Sequence, residues 1–235
     1  MRKIILGCLA AIALFSLSCN PTCTEGTGPT GEEDRNPGTF TSVKSDIPAT
    51  VVIRKGTTSG IKIIAQADIR ELIKTEISGN TLHLESKSCF QSDEAVRIEI
   101  RTADLEEVEL SGSGLVNIED TFQVKEITLN VSGSGTIKGR IIAAHLHADV
   151  SGSGSIALTG SANELKAELS GSGLIDAGAL PCKQAEVSVE GSGNIRLYVL
   201  EKLKSAVAGS GNIYYKGNPD IKSNITGSGK VVSEN

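Results

Sequence analysis

The chain has 235 residues, 39% of them hydrophobic but only 3% aromatic and none Trp, so any core it forms is aliphatic. That length admits one large domain or two small ones. Twenty-three Lys and Arg stand against 28 Asp and Glu, a net charge of −5, which excludes nucleic acid as the main partner because phosphate binding needs clustered basic charge.

Arg2 and Lys3 precede an apolar run over 4–15, too short to span a bilayer. The following Ser16-Leu17-Ser18-Cys19 resembles the lipobox of a bacterial lipoprotein signal. The resemblance implies cleavage before Cys19 and lipid attachment to it, with the membrane as the first partner. The alternative is an ordinary secretory signal cut near Ser18. Either route exports the chain, and removal of residues 1–18 takes the net charge to −7. Residues 19–38 are rich in Pro, Gly, Thr and Glu without apolar periodicity, the composition of a flexible tether. Of the cysteines beyond the signal, Cys89 and Cys182 lie in the part expected to fold. They admit either a mutual disulfide or two buried free thiols.

Order is expected from about residue 39. Segments 40–43, 50–54 and 61–65 read as strands. Ile69, Leu72 and Ile73 have helical spacing, enough for one short turn of helix. Residues 75–78 and 81–85 flank Gly79-Asn80, a hairpin signal. Residues 95–101 alternate strictly, as a half-buried strand must.

From residue 108 one phrase recurs. Its glycines are Gly112 and Gly114, Gly133 and Gly135, Gly152 and Gly154, Gly171 and Gly173, Gly191 and Gly193, Gly209 and Gly211, and Gly227 and Gly229. Each pair brackets a serine, and in the first four copies another serine precedes it. The first glycines are spaced 21, 19, 19, 20, 18 and 18 residues apart. Seven copies at one period are the signature of a repeat architecture. Leu165, Ala167 and Leu169 share a phase with Gly171, Gly173, Ile175 and Ala177, whereas Glu168, Ser170 and Ser172 take the opposite phase. The period of 2 predicts extended chain on both sides of each phrase, with the glycines as tight corners. The predicted fold is all-β: a parallel β-helix or solenoid of about 18–21 residues per coil, right-handed by the rule for parallel crossovers. It forms a single domain over 39–235. Residues 39–107 supply a strand-rich cap and 108–232 the repeats, with the serines of the phrase in an outward ladder that weakens where Glu190, Ala208 and Thr226 replace the first serine.

The repeats, with the strands at 50–54 and 60–65, the hairpin over 76–85 and the strand at 96–101, resemble the bacterial head GIN domain family, a domain of unknown function that carries an auto-transporter adhesin label. The resemblance covers about residues 40–232. It implies a β-helical fold and an exported, often lipid-anchored protein of the cell envelope, facing the periplasm or the cell surface, with no established activity.

The glycine phrases lack the Lys-Ser/Thr of a phosphate loop, the aspartate of a calcium β-roll and the spacing of a serine nucleophile elbow. His145 and His147 could approach a metal from one strand face, with Asp149 or Glu126 as a third ligand, but a solvated face is the simpler reading. No metal, cofactor or catalytic residue is assigned. Two functions remain: a non-catalytic binding, adhesion or structural module offering a Ser/Thr/Asn face to glycan or an envelope protein, and a carbohydrate-active β-helix enzyme using outward acids such as Asp149, Glu168 and Glu190. Homo-oligomers through an uncapped solenoid end are also expected.

Overall fold

The structure, a computed structural model, describes residues 23–235. The signal segment 1–18 and the lipid attachment expected at Cys19 lie outside the described residues.

The described residues are mostly strand. The first part comprises β1 (Thr24–Glu25), β2 (Thr30–Arg35), β3 (Ser42–Ser45), β4 (Thr50–Lys55), β5 (Gly60–Gln66), α1 (Ala67–Leu72), β6 (Ile73–Ser78), β7 (Thr81–Ser86), β8 (Phe90–Gln91), β9 (Arg97–Thr102) and β10 (Glu107–Gly112). The coils follow as β11 (Leu115–Gly133), β12 (Thr136–Gly152), β13 (Ser155–Gly171), β14 (Leu174–Gly191), β15 (Asn194–Gly209), β16 (Asn212–Lys216), β17 (Asp220–Gly227) and β18 (Lys230–Ser233).

Strands β10 to β15 stack in parallel, each on the next, and the second half of β15 stacks on β17. The first glycine of every phrase aligns with the first glycine of the next, from Gly112 through Gly133, Gly152, Gly171, Gly191 and Gly209 to Gly227. The unequal repeat lengths are absorbed elsewhere. The register slips between Ile118 and Phe122, between Ala157 and Thr159, and between Ala177 and Pro181. These slips fall where each coil turns from its leading arm, just after the glycine corner, toward its trailing arm. The expected solenoid with glycine-aligned coils is what forms.

The aliphatic inward positions make continuous columns. Val116, Ile137, Ile156, Ile175, Ile195 and Ile213 stack on the leading side, and Val131, Val150, Leu169, Val189 and Val207 on the trailing side. All are buried. Burying one such side chain is worth about 1.5–3 kcal/mol, so each coil is held chiefly by stacking on its neighbours rather than by contacts of its own.

The two glycines of a phrase do different work. Gly171 has φ +117°, and a Cβ there would stand 2.4 Å from the carbonyl oxygen of Gly152 in the coil before. That carbonyl accepts the Ser172 N–H at 2.9 Å. Gly173 faces the core, where a Cβ would meet Gly154 O at 2.4 Å and Val150 Cγ1 at 2.8 Å. The first glycine bends the chain, and the second lets backbone approach backbone.

The early strands close one end. The leading side continues from β11 to β4, then β9, β5 and β2; the trailing side continues from β10 to β3, β7 and β6. The Gly79-Asn80 hairpin forms as β6–β7. The short helix forms as α1, whose Ile69 is fully buried at the end of the core.

Two expectations are corrected here. Residues 23–38 are not a tether: β2 pairs antiparallel with β5 from Thr30↔Gln66 to Arg35↔Ile61. Arg35 donates to the carbonyls of Ile73 (2.7 Å) and Arg70 (3.1 Å) at the C-terminal end of α1, the end of a helix that attracts a cation. Thr27 donates both its backbone N–H and its hydroxyl to Asp68. Cys89 is bonded to Cys23, so it neither pairs with Cys182 nor remains a free thiol.

Among the described residues, Cys182 is a free, buried thiol. Burial pushes its pKa up to about 12. The unfolded thiol loses its proton near pH 8.5, so above that pH the unfolded state binds fewer protons than the fold. Stability is therefore expected to fall as pH rises from about 8.5 toward 12. Cys182→Ala should remove that slope, measured as urea midpoints at about pH 8 and about pH 10.

Candidate binding faces

The corner ridge carries two columns of hydroxyls. The first serine of the phrase is present at Ser111, Ser132, Ser151 and Ser170, then gives way to Glu190, Ala208 and Thr226. The second is present in every copy: Ser113, Ser134, Ser153, Ser172, Ser192, Ser210 and Ser228. All seven are exposed. From Ser134 onward, each donates its backbone N–H to a glycine carbonyl one coil back at 2.8–2.9 Å. The weakening expected of the ladder is thus confined to the first column. The second runs unbroken at the ~4.8 Å step of stacked strands.

The outer face of the trailing arms is charged. Glu126, His145 and Glu164 align across three coils, as do Thr128, His147 and Lys166, and Asn130, Asp149 and Glu168. His145 Nδ1 lies 3.0 Å from Glu164 Oε2, and His147 Nε2 lies 3.0 Å from Glu168 Oε2. Each imidazole is thus engaged by a carboxylate of the following coil. Among the described residues no group of three or more His, Cys, Asp or Glu could hold a metal ion. His83 lies apart, in register with Lys44 and Glu76.

Asp149 and Glu168 are neighbouring carboxylates with opposite surroundings. A hydrogen bond from Lys166 Nζ at 2.9 Å, with help from His147, holds Glu168 below the ordinary carboxylate range. Partial burial, and then the neighbouring Glu168 charge, push Asp149 upward. Divergent carboxylates of this kind are a feature of acid–base pairs. Here Glu168 is committed to Lys166 and His147.

The outer face of the leading arms is flatter. A shallow groove of about 510 Å³ runs over Asn117, Lys138, Arg140, Ala157, Thr159 and Asp176. Asp176 aligns with Arg196, and Arg196 with Tyr214. The Arg196 guanidinium lies 5.7 Å from the Tyr214 ring centre. Tyr198 points outward beside them, whereas Tyr215 packs against the core as its phase requires. The sequence signal for the Arg196–Tyr214 pair is the 18-residue step that sets one over the other.

No curated protein matches the sequence. Several crystal structures share the fold, among them the following. One, described as a putative adhesin from Bacteroides fragilis, superposes with a TM-score of 0.84 at 24% identity, over 89% of this chain and 99% of that one. Another, described as a putative adhesin from Parabacteroides merdae, gives 0.75 at 22% identity, over 90% and 99%. A third, described as a putative lipid binding protein from Parabacteroides distasonis, gives 0.73 at 21% identity, over 90% and 99%. Residues 39–219 match the family described as "Putative auto-transporter adhesin, head GIN domain", and with most of its length inside that match, this β-solenoid chain belongs to the head GIN domain family.

Proposed function

We propose that the chain is a non-catalytic adhesive module of the bacterial envelope, exported and anchored through lipid on Cys19, that binds a glycan with the outer face of its leading arms. The observation that carries this reading is the Arg196–Tyr214 pair beside Tyr198, set at the edge of a flat, open, hydrogen-bonding groove. Aromatic faces stack on sugar rings, and a row of Asn, Lys, Arg, Thr and Asp can accept and donate to hydroxyls. A shallow groove that spans several coils suits an extended polymer better than a small molecule, which calls for an enclosed pocket. The Cys23–Cys89 bond is consistent with an oxidising compartment beyond the cytoplasm. Because Cys23 is bonded to Cys89 in the cap, only residues 20–22 would separate that tie from the lipid. The capped end would stand at the membrane and the tyrosines toward the far end.

The test is a screen of the full chain against glycans and envelope fractions, beside surface labelling of intact cells. Tyr214→Ala is expected to weaken glycan binding about tenfold, close to 1.4 kcal/mol. Absence of binding together with inaccessibility to the surface label would overturn the reading. The second reading, a carbohydrate-active enzyme, draws on the divergent Asp149 and Glu168. It requires turnover that Asp149→Asn abolishes while binding persists.

A further inference from the structure

We propose that two copies of the chain join tail to tail, β17 of one pairing antiparallel with β17 of the other across a two-fold axis at Ser223. This does not depend on the glycan reading.

Among the described residues β17 pairs only with β15, so one row of its backbone donors and acceptors is open. Ile221 and Ile225 continue core columns, directly beyond the buried Leu203 and Val207. Yet they are 40% and 44% exposed. An edge strand with exposed apolar side chains is a template for another strand. The opposite end of the solenoid offers no match. Its core is closed by Ile69 of α1, and its two edge strands both carry charge: Glu32, Glu33 and Asp34 on β2, and Lys74 and Glu76 on β6. Head-to-tail stacking would set two isoleucines against a closed, charged cap, and tail-to-tail contact sets them against each other. Such a contact is isologous and closes at two copies.

The sequence of β17 selects a single register. Inward residues must face inward residues, so alternatives differ by steps of two. Centred on Ser223, the pairing places Ile221 opposite Ile225 of the second copy, and Ile225 opposite its Ile221. Lys222 then faces Asn224, and Asp220 faces Thr226. Centring on Lys222 opposes two lysines and separates the isoleucines, and like charges directly opposite destabilise a sheet. Centring on Asn224 sets Ile221 against Gly227 and Ile225 against Ser223. Only the Ser223 register makes both isoleucine pairs without a charge conflict. The inward Ser223, already joined to Ser205 through their hydroxyls at 2.5 Å, would then meet its own copy at the axis. The end of one coil is a small surface, and the association belongs with weak, transient interfaces.

The register predicts a cross-link. In the full chain Ser223→Cys places two thiols opposite each other, at the ~4.5–5.5 Å Cβ separation of facing residues. Mild oxidation should give covalent dimer at least tenfold above the unsubstituted chain, which sets the background from its own cysteines. Lys222→Cys, facing Asn224 rather than itself, should stay at background. Adding Ile225→Lys to Ser223→Cys should return the yield to background. Sedimentation of the unsubstituted chain over about three decades of concentration guards against misfolding of the cysteine variant: the mass should double at the top of the range, and Ile225→Lys should hold it at monomer. Equal cross-linking at 222 and 223, a trimer, or a monomer throughout would overturn the proposal.

Discussion

Gly171→Ala is expected to cost about 3 kcal/mol or more of folding stability, whereas the same change at Gly112 should cost about 1 kcal/mol. Both glycines open the same phrase and both have positive φ, +117° and +85°. What differs is what lies behind them. A Cβ at Gly171 would meet Gly152 O at 2.4 Å, and a Cβ at Gly112 would meet nothing within 4 Å. The backbone penalty is common to both, and the steric one belongs only to a corner stacked on another corner. Alanine at Gly171 must push two coils apart at a point where Ser172 N–H bonds to that same carbonyl. Denaturant midpoints of the two variants against the unsubstituted chain measure the difference. Equal losses would mean that the glycines serve only the bend and that close stacking contributes nothing.

Cys89→Ser should loosen the capped end without melting the coils. The Cys23–Cys89 bond spans a sequence separation of 66. Closing a loop of that size removes up to about 4 kcal/mol of chain entropy from the unfolded state. β2 is an edge strand whose residues are exposed or half-buried, so it can detach while α1 still covers the core. The expected result is amide exchange in β2 accelerated by up to about a thousandfold, with protection in β11 to β15 unchanged. Loss of protection throughout would mean that the cap and the coils unfold as one unit.

The same segment shows where sequence reading stopped. The repeats were legible because their signal is burial: a period of 2 that runs through Leu165, Ala167 and Leu169 into Gly173 and Ile175 can satisfy only one geometry. The Gly79-Asn80 hairpin and the α1 turn were legible for local reasons of the same kind. Residues 30–35, Thr-Gly-Glu-Glu-Asp-Arg, carry no such signal. They are ordered by backbone pairing to β5, by Arg35 on the carbonyls of α1 and by a disulfide. Composition gauges whether a segment can bury apolar surface, and it does not register these ties. Cys23 falls in the segment whose composition reads as a tether, which hides it as the partner of Cys89. The binding faces were half legible. Tyr198 and Tyr214 could be placed outward by phase, whereas the pairing of Arg196 with Tyr214, or of His147 with Glu168 rather than Lys166, depends on side-chain reach between coils.

The in-register glycine column also makes length a countable property of this protein. Every corner meets the next in the same way, and the leading and trailing arms absorb differences of up to three residues at their bends. A unit such as residues 152–170 could therefore be removed or duplicated with its two junctions still presenting glycine to glycine. Each such event would shorten or lengthen the rod by one strand spacing, ~4.8 Å, and would leave cap and tail as they are. Whatever the far end touches, its distance from the capped end would be set in discrete increments by the number of glycine corners.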